Sequence, residues 1–240
     1  MSLTTELIEY EDDGQTLEGY FTYREVLPFP LGAVLVCHAW GGRSDFECEK
    51  SRALAELGYA AFAVDLYGKG VLGDGPETNQ RLMQPFIQDR GMLRRRLGKA
   101  LDTVRGIDRV DESRVAAIGY CFGGLCVLDM ARAGASLKGV VSFHGLLGAP
   151  DNIETGAVSA KVLALHGWND PMAPPSSIEA FGKEMNAAGA DWQLHAYGGV
   201  YHAFTNPKAN DPDGLGVLYD AHADRRSWQT MKNFLEEVLA

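Results

Sequence analysis

The chain has 240 residues, 46% of them hydrophobic and 22% charged, enough apolar material to bury one large core. Acidic residues outnumber basic ones by 32 to 22, and this excess argues against nucleic acid or an anionic membrane as a partner. No window approaches the apolar length of a membrane span, and Met1 to Tyr10 carries Glu6 and Glu9 where a secretory leader is basic and then apolar. The four cysteines, Cys37, Cys48, Cys121 and Cys126, have neither CxxC nor zinc-ligand spacing. The expectation is one domain over residues 1–240, with free thiols, no metal and a cytoplasmic setting; oligomeric state is not legible.

Two β-like runs, Leu3 to Tyr10 and Thr16 to Arg24, flank the acidic turn segment Glu11 to Gly14 and predict an N-terminal β-hairpin. Gly32 to His38 is an apolar run with β-branched residues that suits a fully buried strand, and it runs into Ala39-Trp40-Gly41-Gly42. A helix over Asp45 to Leu57, closed by Gly58, and a buried strand over Tyr59 to Asp65 follow, a spacing that implies parallel pairing. Gly68 to Pro76 is glycine-rich and irregular and reads as a loop over the sheet edge. From Arg90 to Ile107, Leu93, Leu97, Leu101 and Val104 fall at helical spacing, with Arg94, Arg95, Arg96 and Lys99 expected on a solvated face rather than around a ligand.

Further strands are expected at Arg114 to Ile118, Gly139 to His144, Lys161 to His166 and Trp192 to Tyr197. Helices are expected at Leu125 to Ala133, Ser176 to Ala188 and Tyr219 to Ala240. Alternation of this kind predicts an α/β fold with a doubly wound, mostly parallel sheet, whose sites lie at the carboxyl ends of the strands.

The stretch Gly119-Tyr120-Cys121-Phe122-Gly123-Gly124 places a cysteine between a strand and a helix. The pattern is Gly-x-nucleophile-x-Gly, in which small flanking residues let the backbone turn sharply and lift the side chain out at the sheet edge. A helix N-terminus also favours an anion and lowers a thiol's pKa. The bland alternative is an inert buried cysteine beside a tight turn. A thiolate nucleophile needs a base and a group to orient it, and after such a corner the order is acid, then histidine. Asp170 follows the strand ending at His166, and His202 sits on the loop opened by Gly198 and Gly199, so these are the candidate acid and base.

Other readings exist for each. Asp170 could cap the helix that starts near Ser176, although it lies early and two prolines intervene. His195 sits inside a strand and His222 in a polar helix approach, weaker positions for a base; His144 and His166 end strands and suit satisfied core histidines that border a pocket. An oxyanion needs preorganised N–H donors. The amide of Phe122 is one, and the second is expected from the loop after an earlier strand, where we read the Ala39 amide as donor and Trp40 as a wall of the acyl pocket.

With Gly-Tyr-Cys121-Phe-Gly-Gly, Asp170 on a His-Gly-x-x-Asp loop and His202 before Ala203-Phe204, in that order, the chain resembles the dienelactone hydrolase family of α/β-hydrolases. The strand Ala61 to Tyr67 also looks like the family's strand before its variable loop. The resemblance implies an α/β-hydrolase fold and a triad of Cys121, His202 and Asp170, with His38, Trp40, Arg81, His144 and Phe204 as pocket candidates. Two departures bear on the substrate. His38 stands where the family has a glutamate that helps activate the thiol, and Asn206 stands where it has an arginine for the substrate carboxylate; Arg81 is the candidate match for the other arginine. The implied activity is hydrolysis of a small neutral ester or lactone through a thioester, without metal or cofactor, since asparagine cannot supply the lost charge. Dienelactone itself and activated phosphotriesters are variants within this class. A ligand-binding or thiol redox-sensing protein is the rival from another class.

Overall fold

Strand β3 (Leu31–Cys37) is buried along its whole length, and its two sides serve two different cores. The computed structural model, which describes residues 2–150, 155–211 and 213–240, packs Ala33, Leu35 and Cys37 into one hydrophobic layer and Val34 and Val36 into another. Successive side chains of a strand point to opposite faces, so a strand covered on both sides reads as an unbroken apolar run. Strand β5 (Val110–Tyr120) divides in the same way, with Val115 and Ala117 on one side and Ala116 and Ile118 on the other.

The sheet has eight strands in the order β1 (Thr4–Asp12), β2 (Gln15–Tyr23), β4 (Ala60–Ala63), β3, β5, β6 (Gly139–Phe143), β7 (Lys161–Gly167) and β8 (Trp192–Tyr197). The pairs β1–β2 and β2–β4 are antiparallel and the remainder parallel. The N-terminal hairpin turns at Asp13 and Gly14, both at positive φ, as a tight turn between twisted strands requires. Helices α2 (Pro76–Gln88), α3 (Arg90–Arg105), α4 (Phe122–Arg132) and α5 (Pro175–Ala187) contribute to one core. Helices α1 (Asp45–Glu56) and α6 (Ala221–Val238) contribute to the other. No helix among the described residues is long and apolar enough to cross a membrane.

From β3 the chain first builds outward to β4 on one side and then returns to place β5 on the other. That reversal opens a crevice between the carboxyl ends of β3 and β5, the place where open α/β sheets bind ligands. The loop after β3 and the corner at Cys121 face each other across it.

Two features differ from the expectations. Helix α2 follows the glycine-rich loop, starting with Pro76 at its first turn; Pro85 within it breaks the helical pattern in the sequence, yet Phe86 is buried against Tyr67 and Phe122. The arginine run of α3 is not a uniformly solvated face. Arg96 is buried, donating to Asp12 Oδ2 at 2.9 Å and to the Leu66 carbonyl at 2.9 Å, while the half-exposed Arg95 donates to Asp12 Oδ1 at 2.9 Å. Together they latch the N-terminal hairpin onto α3, a long-range pairing that helical periodicity cannot reveal.

Candidate active site

Strand β5 ends at Tyr120 and α4 begins at Phe122, so Cys121 is the whole connection between them. Its backbone sits at φ 56° and ψ −114°, a region that residues with a side chain rarely occupy and that costs on the order of 1–3 kcal/mol. The flanking glycines follow from contact between strand and helix backbones. A Cβ on Gly119 would lie 2.0 Å from the Gly123 carbonyl oxygen, and one on Gly123 would lie 2.1 Å from the Cys37 carbonyl oxygen. The corner therefore closes only with small residues, and it holds the thiol partly open to the crevice.

The loops after β7 and β8 bring Asp170 and His202 to the same edge. His202 Nδ1 donates to Asp170 Oδ2 at 2.7 Å, and both residues are buried. Asp170 Oδ1 accepts from the Met172 amide at 2.8 Å, and Asp170 caps no helix, since α5 has Pro174 at its N-cap. His166, the histidine ending β7, tethers this loop from below by donating from Nε2 to the Ala173 carbonyl at 2.8 Å. His202 Nε2 has no hydrogen bond of standard geometry among the described residues, and the group that faces it is the Cys121 thiol. Burial disfavours both charged forms, raising the pKa of Cys121 and lowering that of His202. Burial is the largest single effect on each group, and it is outweighed only by the sum of the mutual attraction of thiolate and imidazolium, the hydrogen bonding of Asp170 to the imidazole and the N–H groups of Phe122 and Trp40 at the sulfur. The thiol consequently ends below its usual value and the imidazole above.

The second N–H facing the sulfur therefore belongs to Trp40, and the expectation of Ala39 needs correcting. The Ala39 amide is occupied, donating to Glu47 Oε1 at 3.2 Å. Glu47 is buried, and its other oxygen accepts from the Ser44 amide at 2.9 Å and the Ser44 hydroxyl at 2.7 Å, forming the capping box of α1. Sequence reading missed Glu47; the Ser-x-x-Glu spacing from Ser44 marks it as a cap and gives no sign that the carboxylate also reaches back to the loop. His38 does not touch the thiol. Its ring is fully buried, with Nδ1 2.6 Å from the Ala39 carbonyl oxygen and Nε2 accepting from the Leu66 amide at 3.3 Å.

A cavity of about 420 Å³ opens beside Cys121 and His202, lined by Trp40, Leu72, Met83, Leu146, Met172 and Val217 among its apolar groups and by Glu47, Gln80, Thr205 and Asn206 among its polar ones. His144 lines it too, at positive φ, bonded through Nε2 to Thr205 Oγ1 at 2.8 Å, and burial together with the charge of His202 keeps its pKa well below the ordinary range. Phe204 is fully buried behind His144, ring to ring at 5.1 Å, and is a support rather than a wall. His195 and His222 are exposed and away from the cavity.

The family model for the dienelactone hydrolase family matches residues 17–239. The chain belongs to the dienelactone hydrolase family. It is 35% identical to a dienelactone hydrolase-like promiscuous phosphotriesterase from metagenomic libraries, with a TM-score of 0.95 and full coverage of both chains. A putative carboxymethylenebutenolidase of Aquifex aeolicus is 27% identical over 98% of this chain and 99% of its own. A putative dienelactone hydrolase from Klebsiella pneumoniae, at 20% identity and a TM-score of 0.82 over 98% of this chain and 99% of that one, shares the fold. The chain is thus a hydrolase of this family with the α/β-hydrolase fold.

Within the family pattern, this member departs where a carboxylate clamp is expected. Asn206 lines the cavity, whereas Arg81 is exposed on α2 and does not. Gln80 and Met83, three residues apart and so on one face of the helix, are the side chains α2 offers the cavity; Arg81 projects about 100° away from Gln80. No arginine or lysine among the described residues lines the cavity, and the one carboxylate among those that line it is Glu47.

Proposed function

We propose that the protein hydrolyses small neutral esters or lactones through a thioester on Cys121. The observation that carries this reading is the line of contacts at the strand ends: a thiol on a strained corner, an imidazole facing it, and a carboxylate 2.7 Å behind that imidazole. The raised imidazole pKa and lowered thiol pKa favour a resting thiolate–imidazolium pair. The sulfur attacks the ester carbonyl, and the electron pair of the C=O bond moves to oxygen, which the Phe122 and Trp40 amides stabilise. Collapse re-forms the carbonyl and expels the alkoxide, which takes the proton from His202 Nε2. Water then gives a proton back to His202 as it attacks the thioester. The second collapse returns the thiolate and releases the carboxylic acid, while Asp170 keeps the imidazole oriented throughout.

The neutral-substrate part rests on the lining. Among the described residues that line the cavity, a carboxylate on the substrate would meet Glu47 and no arginine or lysine, and a bidentate arginine is the side chain that recognises carboxylate well. The test pairs p-nitrophenyl esters with and without a free carboxylate against the wild type and Cys121→Ala. We expect turnover of the neutral esters, an acyl adduct on Cys121 by intact mass, and neither in the variant. Undiminished activity in Cys121→Ala would remove the thioester mechanism, and strict dependence on a carboxylate would remove the neutral class. A second reading, hydrolysis of activated neutral phosphotriesters, is favoured by the likeness to the phosphotriesterase and by the same lining; paraoxon belongs in the panel.

A further inference from the structure

We propose that His38 is a positioning residue that aims the Trp40 N–H at the reacting oxygen, and that it does not act on the thiol. The inference rests on the thioester reading above. A peptide unit is planar and trans, so its C=O and N–H point in opposite directions. The Ala39 carbonyl and the Trp40 amide hydrogen belong to one such unit. The carbonyl points into the core, where His38 Nδ1 lies 2.6 Å from it, and the Trp40 N–H therefore points outward to Cys121. Fixing one end of the plane fixes the other.

The protonation state of His38 follows from its two partners. A carbonyl oxygen can only accept, so Nδ1 carries the hydrogen; the Leu66 N–H can only donate, so Nε2 is bare. Both ring nitrogens are occupied and the ring is neutral. The ring is fully buried, packed against Tyr67 with ring centroids 4.7 Å apart and against Phe122 at 6.2 Å. A donor on the carbonyl also polarises the peptide unit and strengthens its N–H as a donor. The Gly42 amide, 3.2 Å from the same Ala39 oxygen, closes the turn and occupies its remaining acceptor direction. Glu47 holds the preceding peptide through the Ala39 amide, so the loop is fixed from both sides of Ala39.

The decisive comparison is His38→Asn against His38→Gln. Asparagine carries its amide nitrogen where Nδ1 stands and retains the contact with Ala39 but loses Leu66; glutamine reaches the Nε2 position and retains the Leu66 contact but loses Ala39. Removing one oxyanion donor costs on the order of 10²–10³ in rate, and misaiming one costs part of that. We expect His38→Gln to lower kcat for a p-nitrophenyl ester by about 10–10²-fold with KM within about twofold, and His38→Asn to recover most of the loss. The Trp40 N–H also faces the resting sulfur, so the pH profile of Cys121 alkylation by iodoacetamide should move slightly upward in His38→Gln, as that one contact weakens, and return to the wild-type profile in His38→Asn. An equal upward shift in both variants, neither of which carries an imidazole, would make His38 a thiol activator and overturn the proposal. Equal kcat in wild type and His38→Gln, or a worse result for asparagine than for glutamine, would also overturn it. Should Cys121→Ala retain ester turnover, the thioester reading fails instead, and the alkylation data separate the two failures.

Discussion

The sulfur of Cys121 faces two N–H groups that are held by different means. The Phe122 amide is fixed by its neighbours in the chain: a strand ends, a helix begins, and Gly119 and Gly123 let the two backbones meet. The Trp40 amide is fixed by side chains remote from it. His38 takes the Ala39 carbonyl, Glu47 in α1 takes the Ala39 amide, the Tyr67 hydroxyl donates to the Trp40 carbonyl at 3.0 Å, and the Leu66 amide holds His38 itself. A corner built by backbone closure is rigid and intolerant; a loop held by several hydrogen bonds fails by degrees. Substitutions on the two sides should therefore differ in kind: all-or-none at the corner, graded on the loop.

The largest effect is expected at the corner. Cys121→Gly removes the proposed nucleophile and relieves a residue held at φ 56°. Ester turnover should fall by roughly 10⁴-fold or more, and the variant should be more stable by about 1 kcal/mol, read by thermal unfolding, than Cys121→Ala, which also loses the thiol but keeps a Cβ at this φ. Equal stability of the two variants would mean that the corner is not strained. Gly123→Ala comes next. Its Cβ would lie 2.1 Å from the Cys37 carbonyl oxygen, a backbone atom that cannot swing aside, so we expect destabilisation of about 4 kcal/mol or more in urea unfolding. A near-neutral result would show that strand and helix can part without cost.

On the loop side the effects should be smaller and separable. Glu47→Gln keeps an oxygen for the Ala39 amide but turns an NH₂ group towards the Ser44 amide. We expect kcat to fall by about tenfold, and stability by about 1 kcal/mol through the lost cap. Loss of stability with no change in kcat would confine Glu47 to capping α1. The ion pair gives a further contrast. In the folded protein the thiol lies below its usual pKa and His202 above, so the stability it adds through Cys121 is lost as pH falls through the folded thiol value. The part added through His202 is lost as pH rises through the folded imidazole value. Alkylation of Cys121 should accordingly persist below the ordinary thiol pKa of about 8.5. In Cys121→Ala the His202 titration, followed by NMR, should move down; an unmoved titration would mean that thiol and ring are not coupled.

What the sequence discloses follows the same division. The corner, Asp170 and His202 were legible because each is local: five residues with glycines at fixed offsets, and two loops that directly follow apolar strands. The mostly parallel character of the sheet followed from alternation, whereas its strand order, with β4 and β5 on opposite sides of β3, came only from the structure. The loop after β3 was misread at Ala39 because its donors and acceptors lie on α1 and beyond β4, and nothing in Ala39-Trp40-Gly41-Gly42 indicates which amide is already occupied. Arg96 was misread for a related reason. Its partner Asp12 lies in the N-terminal hairpin, and a helical stripe reveals which face is apolar, not which exposed-looking charge meets a buried carboxylate. Helix α2 was hidden by Pro85, which sequence rules treat as a stop.

The smallest effect is expected at Arg81, and it bears on the substrate class. The family resemblance offers this residue as half of a carboxylate clamp, whereas α2 presents Gln80 and Met83 to the cavity and leaves Arg81 exposed. Turning Arg81 inward would require rotating the helix by about 100°, and that rotation would expose Phe86, which packs on Tyr67 and Phe122. Burying that ring outweighs one solvated ion contact, because an aromatic side chain contributes about 2 kcal/mol by burial and an exposed ion pair at most about 1. Arg81→Ala should therefore leave KM within about twofold for neutral and carboxylate-bearing esters alike. A selective rise in KM for the carboxylate esters would show that α2 does turn, and would return this chain to the clamp of its family.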